Sequence, residues 1–260
     1  MFVERLKDPM DLDVLLTYIM INDLGKDPQL ASDYRSKTGQ DISTLNYDII
    51  LLKAVEVGLV PSIDHLPLAH RDKIKCGLRL GAEFNPGQLV QAENAPACLS
   101  GLLEMRGQQN KFTFHFLQQL LDISGAAGHQ DWMYAQKLIQ PIAKAYRDVY
   151  EVAVGIISGD QGLREAYNEI LARRCEILRG KGFRSLVVRC PEDRALVRLL
   201  YMGGTSDPDK AELYWSTWEA LDDSTNCSLV CSLNIDRSFT EPAVQPTYMP
   251  AMLCQGASPP

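Results

Sequence analysis

Residues 132–157 read WMYAQKLIQPIAKAYRDVYEVAVGII, and their periodicity decides the class of the fold. Trp132, Ala135, Ile139, Ile142, Tyr146, Val149, Ala153 and Ile157 follow one another at steps of three and four, which lays one apolar stripe along a helix. Pro141 interrupts the stripe, so a kink or a division into two helices is expected there. The same punctuation recurs on both sides. Asp8-Pro9 reads as the start of an opening helix and Gly25 as its left-handed stop. Asn46 caps a helix that runs to Gly58, with Pro61 beyond. Helices are expected over 68–80, 96–106 and 111–124, with Asn85-Pro86-Gly87 as a turn. Leu163, Tyr167, Ile170, Arg174 and Ile177 form another stripe, supported by an i,i+4 pair between Glu169 and Arg173. Cys190-Pro191 and Asp207-Pro208 open two more helices. The best strand candidate, Ser185-Leu186-Val187-Val188, is short. The class is all-α.

The chain has 260 residues, 46% of them hydrophobic, with 26 Lys+Arg against 33 Asp+Glu for a net charge of −7. This composition excludes disorder for the bulk of the chain and disfavours nucleic acid or an anionic membrane as a partner. No apolar run reaches the roughly 18–20 residues that span a bilayer, and the start has no apolar signal core. Seven scattered cysteines without a C-x-x-C pair read as buried, reduced thiols, and a cytoplasmic location is expected. Residues 222–260 carry five charges and five prolines. They are expected to form an irregular, Pro-rich C-terminal arm on a single multi-helix domain of residues 1–221. Between Leu163 and Arg198 nine basic residues face five acidic ones, a local charge of +4. That surplus suits an anionic substrate or docking onto the acidic remainder of the chain.

The opening helix poses the chemical question. At 100° per residue Leu12, Leu15, Leu16 and Ile19 share a core-width stripe, and Asp23 falls in its middle with Asn22 at its edge. An inward carboxylate needs a positive partner, the more so in a last helical turn where the macrodipole opposes it. Lys26, an arginine from elsewhere or a bound metal ion would serve, or the stripe ends at Ile19 and Asp23 meets solvent.

Ile21-Asn22-Asp23-Leu24-Gly25-Lys26 resembles the apolar-His-Asp-apolar-Gly-Lys signature of the HD-domain superfamily. The resemblance covers six residues and implies an all-α protein holding metal between helices, most members being phosphohydrolases and some di-iron oxygenases. It makes Asn22 and Asp23 metal ligands and sets Lys26 beside the site, facing an anion. Asn22 stands where the signature has histidine, and an amide is a poorer ligand for iron, manganese or zinc than imidazole. A weakened metal site is implied.

Other residues can complete such a site. The helix over 111–124 is apolar around most of its circumference, leaving His115, Gln118, Gln119 and Asp122 as a narrow strip. That strip faces a band of solvent or an internal pocket, which His115 and Asp122 would line. The small-residue turn from Gly125 presents His129 and Asp131 together, as further metal ligands with His129 as the catalytic base, or as a turn residue and a helix cap. Asp48 sits in a helical first turn, stabilised there without any chemistry, at a spacing from Asp23 that permits a pocket role. Gln88, Gln91, Glu93 and Asn94 form a polar loop, solvated or contacting substrate. There is no nucleotide-binding glycine motif, no His-Glu-x-x-His and no nucleophile elbow. Three readings stand: an HD-like metal-dependent enzyme, hydrolase or oxygenase, on a small molecule such as an anionic one; a catalytically inactive helical protein that binds a protein partner; and a metal-free enzyme with a His/Asp acid–base pair.

Overall fold

The computed structural model describes residues 9–90, 96–125, 140–205 and 207–236. Among these residues the regular structure is entirely helical. Residues 185–188, the strand candidate, run as an irregular connection. None of the described helices is long and apolar enough to cross a membrane.

The chain divides into two compact units, each assembled from separated stretches. One comprises Met1–Phe84 and Met105–Lys144; the other comprises Asn85–Glu104 and Ala145–Pro260. The first unit contains α1 (Pro9–Ile21), α2 (Pro28–Thr38), α3 (Tyr47–Glu56), α4 (Leu68–Gly81) and α6 (Gln109–Gly125). Helix α2 starts as the opening helix was expected to: Asp27 accepts from the Gln29 amide, Pro28 follows, and Gly39 ends it at φ 79°. Asn46 caps α3 through the Asp48 amide at 2.8 Å. In this unit α4 packs on both α3 and α6, and α1 packs on α6. Val14, Leu15, Tyr18, Leu51, Val55, Ile74, Leu78 and Phe114 share its core.

The second unit contains α5 (Pro86–Val90), most of a 3-10 helix over Pro96–Met105, most of α7 (Gln140–Ser158), α8 (Leu163–Gly180), α9 (Pro191–Met202), α10 (Pro208–Glu219) and α11 (Asp223–Leu233). The Asn85-Pro86-Gly87 turn proves to be a helix start, with Asn85 Oδ1 accepting from the Gly87 and Gln88 amides. In α7 the expected stripe is buried at Tyr146, Val149, Ala153 and Ile157, while Ile142 stays partly open. Pro141 is the second described residue of α7, and Trp132, Ala135 and Ile139 lie outside the described residues. The Glu169–Arg173 pair forms as expected, and Arg173 also binds Asp148 and Glu151 of α7.

Residues 222–236 are not an irregular arm. Asp222 accepts from the Thr225 amide and Thr225 hydroxyl and so starts α11, which packs on α9. The cap supplies the helix start that the weak apolar pattern beyond Leu221 concealed.

Candidate functional site

The core face of α1 is not the stripe drawn through Leu12, Leu15, Leu16 and Ile19. Val14, Leu15, Tyr18 and Ile21 are buried, whereas Leu12 and Leu16 are 44% and 50% exposed. Besides Pro9 and Tyr18, eight residues of this helix are apolar, so hydrophobicity alone does not orient it. Tyr18 does, because its ring packs inward and its hydroxyl finds a polar partner there. The rotation carries Asp23 outward. Its side chain is largely exposed, and the cation that faces it is Lys26, at 2.6 Å.

Gly25 is not a left-handed stop either; it lies in a 3-10 turn over Leu24–Lys26. A Cβ there would stand 1.9 Å from the Tyr47 carbonyl oxygen, so the glycine lets this turn press against the start of α3. Lys26 Nζ consequently sits 5.0 Å from the centre of the Tyr47 ring. This close approach brings the Asn22–Lys26 segment to Asp48.

Asp48 is the inward carboxylate. It is 9% exposed, and Gly81 of α4 leaves room for it, since a Cβ there would meet its oxygens at 3.1 and 3.3 Å. Its position in the first turn of α3 favours ionisation. Burial overrides that and pushes its pKa up to about 7; Lys26 opposes the rise, and Asp23 and Asp122 add to it. Three carboxylates and one ammonium, from the α1–α2 turn, α3 and α6, are thus within electrostatic reach of one another. The sequence left Asp48 open as a helix-start residue or a pocket residue, because nothing local reports that α4 covers it.

The polar strip of α6 points inside the unit. His115 is 1% exposed and its Nδ1 lies 3.0 Å from the Tyr18 hydroxyl. Burial drives its pKa down to about 4, so the ring is neutral at ordinary pH. Its Nε2 and the Gln118 Nε2, one turn apart, are both buried without a hydrogen-bond partner. Further along the same face, Asn22 Nδ2 donates to Asp122 Oδ1 at 3.0 Å. The side chains of Asn22, Asp122, Asp48 and His115 therefore form a band from half-exposed to buried.

A model for a family of unknown function, DUF6829, matches residues 1–259. The chain belongs to the DUF6829 family. No curated protein and no solved structure matches it. The DUF6829 chain thus offers its own side chains as the record of its chemistry.

The resemblance of residues 21–26 to the HD-domain signature implies a metal ion between helices. Asp23 is spent on Lys26, Asn22 donates to Asp122, and His115 Nδ1 is engaged by Tyr18. Among the described residues no three His, Cys, Asp or Glu side chains stand together as a ligand set. The donors that the described residues bring together do not make up a metal site. His129 and Asp131 lie outside the described residues, as do Gln91, Glu93 and Asn94. Gln88, expected in that loop, is instead 2% exposed within α5. Of the cysteines, Cys175 is buried but Cys227 and Cys231 are exposed on α11. A cleft of about 260 Å³, lined by Leu24, Asp27, Leu30, Leu59 and Pro61 among others, does not include the Asp48 cluster.

Proposed function

We propose that this DUF6829 protein is an HD-like helical hydrolase acting on a small anionic ester, with Asp48 as its proton-transfer group. The observation that carries the reading is the convergence of Lys26, Asp23 and Asp122 on a carboxylate that is almost wholly buried. A carboxyl group titrating near 7 exchanges a proton at neutral pH, as a general acid–base group must. In the reaction Asp48 accepts a proton as water adds to the ester centre and returns it to the departing oxygen. Lys26, more than half exposed and steered by Asp23, contacts the anionic group. Asn22 and Asp122 hold the ends of α1 and α6 in place through their mutual hydrogen bond.

The test is hydrolysis of a panel of phosphomonoesters and carboxylic esters by the purified full chain, with metal content measured on the same sample. Asp48→Asn is expected to lower kcat by about 10²–10⁴ at unchanged helicity. Lys26→Ala is expected to raise KM with a smaller effect on kcat. Activity equal in wild type and Asp48→Asn refutes the assignment. Near-stoichiometric iron, manganese or zinc would restore the metal-dependent form of the reading.

A second reading, a catalytically inactive protein that binds a partner, draws support from one feature. Asp23 with Lys26, and Asn22 with Asp122, satisfy each other at 2.6 and 3.0 Å and leave the signature residues internally neutralised. Under that reading no ester in the panel turns over.

A further inference from the structure

The cleft of about 260 Å³ in the first unit runs between the first turns of α2 and residues 59–62 beyond α3. Leu24, Leu30, Leu59 and Pro61 give it aliphatic walls, and the only charged residues that line it are Asp27 and Asp33. No aromatic and no basic residue lines it.

Gln29 holds both carboxylates. Asp27 Oδ1 accepts from its backbone amide at 2.9 Å, and Asp33 Oδ1 accepts from its side-chain Nε2 at 2.8 Å. Neither carboxylate has an ion-pair partner among the described residues. The nearest cations along the chain are engaged elsewhere: Lys26 with Asp23, Arg35 with Asp41, and Lys37 with the Val57 carbonyl. The N-terminus of α2 contributes the equivalent of roughly half a positive charge, which two carboxylates outweigh. The cleft therefore joins an apolar wall to uncompensated negative charge. Its volume lies just below the ~300–1,000 Å³ of pockets for drug-sized ligands, which suits a small molecule.

We propose that this cleft binds a small organic cation, a primary ammonium or guanidinium on an apolar stem. The charged head meets Asp27 and Asp33, and the stem lies against Leu24, Leu30 and Leu59. A head that carries N–H donors makes charge-assisted hydrogen bonds to carboxylates. A quaternary ammonium makes none and is held by aromatic faces, which this cleft lacks. The site does not include the Asp48 cluster and stands whether or not that cluster is catalytic.

The probe is 2-phenylethylamine, titrated into the full chain at pH 7 and followed by saturation-transfer NMR. It is expected to bind saturably. 2-Phenylethanol keeps the stem without the charge, and tetramethylammonium keeps the charge without N–H donors; each is expected to bind about tenfold more weakly, the worth of two exposed charge pairs. Asp27→Asn and Asp33→Asn remove the charge and retain an oxygen that accepts from Gln29, and asparagine caps a helix as well as aspartate does. Each variant is expected to weaken the amine about threefold, and the double variant about tenfold, at unchanged helicity. Absence of saturable amine binding to wild type overturns the proposal. So does either control binding as tightly as the amine, or an amine affinity unmoved in the double variant.

Discussion

At Gly25 a side chain is missing because the Tyr47 carbonyl occupies the room it would need, with a Cβ only 1.9 Å from that oxygen. A hydrogen at this one position lets the Asn22–Lys26 segment lie against α3, and through it Lys26 acts on Asp48. Gly25→Ala forces backbone to move against backbone, which no rotamer change relieves. It is expected to cost about 3 kcal/mol in urea unfolding, the upper part of the range for overpacked sites. It should also weaken whatever Lys26 and Asp48 do together. Stability within about 0.5 kcal/mol of wild type would show that the turn shifts freely and that the close approach is not essential. The glycine-lysine pair was visible in the sequence as part of a signature. Its steric reason was not, because the atom it avoids lies twenty-two residues away.

At the scale of the element, α1 is fixed against α6 by two polar contacts along one face, Tyr18 with His115 and Asn22 with Asp122. Tyr18→Phe leaves the His115 Nδ1 buried without its partner and is expected to cost about 1–3 kcal/mol. His115→Leu in the Tyr18→Phe background should recover part of that loss, and the double-mutant cycle should give a coupling of about 0.5–3 kcal/mol. Additive losses would mean that the contact contributes nothing specific. The same helix shows why sequence reading succeeds for some elements and fails for others. In α7 the apolar residues lie mostly on one side, so Tyr146, Val149, Ala153 and Ile157 of the stripe are buried; in α8 Tyr167 and Ile170 are buried, but the buried face turns toward Ala166, Leu171, Cys175 and Leu178. In α1 Leu12, Leu15, Leu16, Ile19, Met20 and Ile21 ring the axis, and the burial of Tyr18 decides among several equivalent faces. A stripe drawn by hydrophobicity therefore turned Asp23 inward. The sequence left Asp48 between a helix-start residue and a pocket residue for the converse reason: its burial comes from α4, and no pattern within α3 reports it. The polar strip of α6 was legible because it was the exception on an otherwise apolar helix.

For the whole molecule, two buried titrations of opposite sign shape the dependence of stability on pH. Asp48 is raised from 3.8 to about 7, so between those values the folded protein keeps a proton that the unfolded chain has released. Stability falls as pH rises through that window, by at most roughly 4 kcal/mol. His115 is lowered from 6.5 to about 4, so between those values the unfolded chain holds a proton that the folded protein refuses. Its contribution is complete above 6.5 and is lost as pH falls toward 4, by at most roughly 3 kcal/mol. Over the shared range from about 4 to 6.5 the two slopes oppose each other, and only the Asp48 decline continues beyond it. Urea unfolding of wild type from pH 4 to 8 should therefore be nearly flat in these two contributions. Asp48→Asn removes the falling one, and its stability relative to wild type should grow steadily from pH 4 to 7 and then level off. His115→Gln removes the rising one, and its stability relative to wild type should grow as pH falls from 6.5 to 4. Parallel curves for wild type and Asp48→Asn would mean that Asp48 titrates as an ordinary surface carboxylate. The proton-transfer role proposed for it would then lose its support, because a carboxylate of ordinary pKa is a much weaker base at pH 7 than one whose pKa matches that pH.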